Sequence, residues 1–122
     1  MAEITEKQVF EYFSEGKKLS GMDLTGLNLN RAVMSGFDFS DCDLRGTNLR
    51  GANLSGSNLS NANLSETNLR ETNLRESDLS GSDISDAYLM EARLFATNLC
   101  DTNLTGSNMS GAFMTGGVRL DR

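Results

Sequence analysis

The sequence predicts a solenoid, a chain that turns a corner every five residues, and three observations predict it. A bulky apolar residue recurs at every fifth position from Leu19 to Met114, twenty centres without an insertion. Two positions before most centres stands a small residue, as at Ala52, Ser57, Ala62 and Thr67. Two positions after each centre the residue is Gly in half of the repeats and otherwise mostly Asp, Asn or Glu. An α-helix advances ~500° in five residues, so these leucines would spiral around all its sides. A flat strand would send successive centres to opposite faces. Only a chain that bends once per repeat keeps them together. Gly supplies the positive φ of such a bend, and Asn or Asp tolerates it next best.

The elements follow in chain order. A solenoid must hide its ends, and residues 1–16 supply the first cap. Thr5 followed by Gln8 has the capping-box spacing, Ile4 and Val9 suit a hydrophobic staple, and Gly16 can end the helix. Val9, Phe10 and Phe13 make an apolar stripe, so residues 5–15 are expected to form a helix over the first coil, near Phe37 and Phe39. Residues 17–116 form the repeat body. Lys17, Met22, Leu27 and Phe37 replace the small residue near its start, which predicts wider or irregular first coils. The tail, 117–122, is too short for a second helix. It leaves Met109, Phe113, Met114, Val118 and Leu120 around a poorly covered last coil, to be closed by the tail or by a second copy of the chain.

On these residues the chain resembles the pentapeptide-repeat proteins, whose consensus is A-(D/N)-L-x-x. "ANLSG" at Ala52–Gly56 and "ANLSE" at Ala62–Glu66 match it letter for letter. The resemblance covers Leu19 to Thr115 and implies an all-β, right-handed quadrilateral parallel β-helix of about five coils. Four repeats make one coil, and the centres and small residues point inward. Some members of the family imitate DNA, bind bacterial type II topoisomerases such as gyrase and protect against quinolones.

Composition narrows the function. The formal net charge is −6, and there is no histidine. That balance argues against nucleic acid or anionic membrane as a direct partner, since both call for a basic footprint. Histidine-based triads and His-containing metal sites are excluded, and no cofactor or catalytic activity is expected. Asp38, Asp41 and Asp43 form the densest carboxylate cluster and are read as solvated corner residues. The two cysteines make no disulfide framework; Cys42 is expected inward and Cys100 outward. Neither a leader nor a membrane-length apolar run is present. A bacterial-type, cytoplasmic protein is the expectation.

Two surfaces remain as candidates. With four repeats per coil, residues twenty apart share a face. The face of Leu19 and Phe39 then has a net charge of −3, with Asp38 and Asp78 (Lys17, nominally inward, is left out). The next face, with Asp23, Asp43, Asp83 and Asp86, has −4, and the remaining two have +1 each. Five coils span ~24 Å at the strand spacing, about seven base pairs and roughly fourteen phosphate charges. The two acidic faces therefore fall short of a DNA mimic in a single copy. The second candidate is a departure from the pattern: Tyr88 and Met90 flank Leu89, and Arg93 and Phe95 flank Leu94, at outward positions that are polar in every earlier full match to the consensus. Phe113, one coil beyond Arg93, is expected to stack on it. Aromatic, Met and Arg side chains together have the composition of a binding hot spot. The reading is a non-catalytic interaction module for a protein partner, with topoisomerase-directed DNA mimicry as the alternative.

Overall fold

The computed structural model describes residues 2–114 and 116–120. Every paired residue from Asp23 to Arg93 bridges in parallel to the residue twenty positions on, as in Asp43 with Asn63 and Asn73 with Arg93. Twenty residues are four repeats. The fold is the expected right-handed quadrilateral β-helix, with faces so short that each repeat pairs through a single residue.

One repeat explains the rest. The amide of Leu64 donates to the Asp83 carbonyl in the next coil at 2.7 Å, and that of Asn63 to Cys42 in the previous coil at 2.9 Å. The corner amide of Glu66 donates to Ser85 at 3.0 Å, and Thr67 closes the turn onto Leu64 at 3.1 Å. The third residue of this turn has φ of 58° and the second is not left-handed, which makes the corner a type II turn. Among the described residues, ten corners hold a non-glycine residue at positive φ, including Arg31 and Ala96 as well as the expected Asp, Asn and Glu. Each carries left-handed strain of ~1–2 kcal/mol. The Asn63 side chain accepts from the Ser65 amide at 3.1 Å, the local bond that such residues favour. Asn and Asp repeat this bond up the rod.

The centres from Leu19 to Leu99 are buried in one continuous core. Each leucine contributes roughly 1.5–3 kcal/mol through burial. Threonines at the small position are buried too, and their hydroxyls bond backward: Thr67 to the Leu44 carbonyl at 2.9 Å and Thr72 to Leu49 at 2.8 Å. A polar side chain inside the rod thus stitches successive coils.

The cap forms as helix α1 (Glu6–Ser14), with Thr5 as N-cap and both halves of the capping box to Gln8. Gly16, at φ of 70°, follows its end. Val9 is fully buried, and the Phe13 ring meets Phe37 edge-on at 5.3 Å, with Phe39 beyond at 5.0 Å. Phe10 departs from the expected stripe and is 42% exposed. Val9, Tyr12 and Phe13 sit at i, i+3 and i+4 and fill the covered face, while Phe10 lies ~100° around the helix. Leu27 and Phe37 are buried without any change of period, so the expected irregularity of register in the first coils is absent.

Below the first coil the cap supplies one backbone donor and two carboxylate acceptors. The Glu3 amide donates to the Asp23 carbonyl at 2.8 Å. The Glu3 carboxylate accepts from the Asp23 amide at 2.7 Å, and the Glu6 carboxylate from Asn28 at 3.0 Å. In later coils the equivalent amides bond to a carbonyl of the coil beneath. At the other end the register slips by one: Asn98 bridges to Arg119, so the chain lies against the last coil there.

Leu64→Ala should cost ~2–5 kcal/mol of unfolding free energy in urea, as a buried leucine does. Ser65→Ala, whose hydroxyl bonds only to Asn63, should cost about 1 kcal/mol or less; equal losses would mean that the centres do not carry the core.

Acid should weaken the rod in a defined window. The Asn28 amide holds the Glu6 carboxyl below its ordinary 4.5. The Thr25 amide acts likewise on Asp23, the Ser40 hydroxyl on Asp38, the Arg45 guanidinium on Asp43 and the Ser85 hydroxyl on Asp83, each below 3.8. Folded values below unfolded ones mean stability that is complete above the ordinary values and lost as pH falls through the folded ones. The melting temperature should be flat above about pH 5 and fall below it, and Glu6→Gln should flatten part of that fall.

Candidate docking surface

Because the register is unbroken from Asp23 to Phe113, residues twenty apart stand in columns, and outward side chains can be placed by arithmetic. The face of Met34, Leu54, Leu74 and Leu94 carries two such columns. In one, Arg93 pairs through its backbone with Phe113 directly above. In the other, Arg75 stands below Phe95. Each column therefore holds one cation beneath one ring, and the two pairs are offset by one coil.

These four residues line an open groove of about 380 Å³. The Arg75 guanidinium lies 5.1 Å from the centre of the Phe95 ring. The cation–π pair is therefore Arg75 with Phe95, not Arg93 with Phe113 as the sequence suggested. On its upper side the Phe95 ring occupies the space that a side chain on Gly116 would need. The ring is pinned between a guanidinium and a glycine corner yet stays 42% exposed; Phe113 is 59% exposed. Phe113 belongs to this groove.

Tyr88 and Met90 do not line the groove. They project from the adjacent face, beyond the corner at Glu91, with Tyr88 half exposed and Met90 partly buried. Met90 follows Arg70 in its column, and the Arg70 Nε is buried without a hydrogen-bond partner. The sequence reading missed Arg75. The available signal was its position twenty residues before Phe95.

Two arginines are paired, while Arg31, Arg70 and Arg119 show no ion pair among the described residues. Arg45 grips Asp43 through two bonds of 2.9 and 2.7 Å, and Arg50 meets Glu71 at 3.0 Å. Neither Arg75 nor Arg93 has an ion pair among the described residues.

The acidic columns are sorted as expected, but much of their carboxylate is employed. Asp23, Asp38, Asp43, Asp78 and Asp83 each accept from the amide two residues on. Asp86 leans over Gly106, where a side chain on that glycine would collide with it. Among the described residues, no three metal-binding side chains gather into a cluster. Nor is any helix among them long and apolar enough to cross a membrane.

Cys42 faces inward and its Sγ donates to the Leu19 carbonyl at 3.0 Å. Burial pushes its thiol up to about 11, so it stays protonated and unreactive. Cys100, expected outward, is buried. It lies on the face where the chain rejoins the coil at Arg119, an arrangement the five-residue pattern does not contain.

At the last described coil the core opens. Leu104 and Met109 are partly buried, Met114 is exposed and Leu120 is 61% exposed. Val118, one step before the Arg119 bridge, is partly buried against the core.

A family model for pentapeptide repeats matches residues 18–56, 57–94 and 96–117, in 8 copies. Among solved structures, the pentapeptide repeat protein Rfr23 from the cyanobacterium Cyanothece is 31% identical with a TM-score of 0.57, over 85% of this chain and 67% of that one. A pentapeptide repeat protein from the Arabidopsis thaliana thylakoid lumen is 35% identical with a TM-score of 0.61, over 80% and 64%. HetL, from Nostoc, a pentapeptide repeat protein involved in heterocyst differentiation regulation, is 31% identical with a TM-score of 0.51, over 88% and 50%. The chain spans between half and two thirds of the length of these relatives. No curated protein matches it.

Proposed function

The chain belongs to the pentapeptide-repeat family, and from that premise we propose that it is a non-catalytic interaction module whose rod presents a docking groove to a protein partner. The observation that carries this reading is the groove of Arg75, Arg93, Phe95 and Phe113. Two exposed rings and two guanidiniums without an ion pair among the described residues interrupt a surface whose equivalent positions in earlier coils are Ser35, Ser55, Asn53, Asn73 and the exposed Val33. Such residues contribute nothing to the core, and aromatic and Arg side chains dominate binding hot spots. Tyr88 and Met90 form a secondary contact around the corner.

The open last coil is the second contact surface of this reading. Met109, Met114, Val118 and Leu120 offer an apolar patch that a second copy of the chain covers. Light scattering at rising concentration should show a dimer that Leu120→Asp abolishes; a monomer at high micromolar concentration would remove this part of the reading.

Topoisomerase-directed DNA mimicry stands behind it. The unbroken columns favour it, because they stack the acidic side chains on two adjacent faces. The engaged carboxylates weigh against it, since Asp43 is neutralised by Arg45 and five aspartates hold backbone turns.

A pull-down from bacterial lysate separates the two. Phe95→Ala with Phe113→Ala should lose a specific band, a loss of at least ~2 kcal/mol or about thirtyfold in affinity, with thermal melting unchanged. If every band persists there and one disappears instead with Asp43→Asn and Asp83→Asn, the mimic is the better reading.

A further inference from the structure

We infer that the groove recognises an extended acidic peptide segment, one that sets a carboxylate against Arg75 and Arg93 and an apolar or aromatic side chain against Phe95 and Phe113. The inference rests on the docking reading above and adds the chemistry of the partner.

The first argument is charge. Acidic residues outnumber basic ones seventeen to eleven in this chain, so a guanidinium has carboxylates to choose from. Arg45 and Arg50 have found theirs; Arg31, Arg70 and Arg119 have not among the described residues, but only Arg75 and Arg93 line the groove beside exposed rings. Arg75 and Arg93 share a face whose only acidic residue is Glu76, at its corner, and neither meets a carboxylate among the described residues. Their counter-charge must come from water or from a partner. The planar fork of Arg suits a carboxylate through two parallel bonds.

The second argument is preorganisation. Phe95 is held from below by the Arg75 guanidinium at 5.1 Å and from above by the Gly116 corner. A ring already fixed in place loses little freedom when a ligand side chain packs on it. Each of the two adjacent columns holds one cation beneath one ring, a coil spacing of ~4.7–4.9 Å apart. A segment alternating acidic and apolar side chains can satisfy both columns at once.

The third argument is size and surroundings. A groove of about 380 Å³ lies at the low end of specific pockets, ~300–1,000 Å³, and takes a few side chains. A nucleic acid would extend beyond it into the field of a chain with net charge −6, which repels phosphate.

The test is selection from a random displayed-peptide library by the whole chain, followed by anisotropy titration of the synthesised winners. The expected winners are rich in Asp or Glu beside Phe, Leu or Tyr, and their affinity falls as salt rises. Arg75→Gln with Arg93→Gln should weaken them about tenfold, and Phe95→Ala about thirtyfold. Gly116→Val, which pushes the ring out of place without touching ligand, should act like Phe95→Ala. Winners that are neutral or basic, or that ignore the arginine pair while still needing Phe95, would overturn the acidic assignment and leave the docking groove standing. Binding indifferent to all four residues would overturn both. Tighter binding of a single-stranded oligonucleotide than of any winner would also overturn the assignment. So would concentration-dependent self-association, lost in the arginine pair, because the occupant would then be an acidic face of a second copy.

Discussion

Everything in this molecule depends on the chain returning to the same face after twenty residues. That return is enforced by the inter-coil amides, three from an interior repeat such as that of Leu64, and by centres too large to sit anywhere but the axis. Neither alone would suffice. The ladder fixes spacing along the rod, and the packed centres fix which residue points inward. Once both hold, a substitution at one position has two neighbours that matter above all, twenty residues before and after. Sequence becomes a two-dimensional map of the surface, in which chemistry is written in columns.

The same constraint explains how ten non-glycine corners persist. Left-handed strain at each would unfold an isolated turn, yet most of these corners, such as Glu66 between Gly46 and Asp86, lie between coils that leave them no other path. Acidic residues are used freely at these corners and beside the centres, where their oxygens replace water at turn amides. Acidity here is partly structural, and net charge overstates how much of it is free to meet a partner.

The body of the fold was legible because its period is strict and belongs to neither common secondary structure. The capping box at Thr5 and Gln8 was legible for a similar reason, being a local pattern with one geometric solution. What escaped was non-local or broke the period. Phe10 looked like part of a stripe, but a helix of 9 residues has room for only one covered face. Arg75 looked like an ordinary polar corner neighbour until its column was followed upward to Phe95. The one-residue slip before Arg119 leaves no mark in a pattern of centres that stops at Met114, and so the burial of Cys100, which is outside the core cluster, could not be read. Columns were readable in principle, and breaks in them were not.

The carboxylates of Glu3 and Glu6 have one more consequence. By taking the amides of Asp23 and Asn28, they use up donors through which another coil could be added beneath. Stacking, if it occurs through coil edges, is therefore open in one direction and obstructed in the other. A repeat rod with two bare ends is a monomer for fibre growth, since every addition regenerates a bare end. A rod terminated on one side can only meet another at its remaining end, and the pair that results exposes two stoppers. The cap thus acts as a chain terminator at its own end of the rod, where a further coil would find these donors already taken.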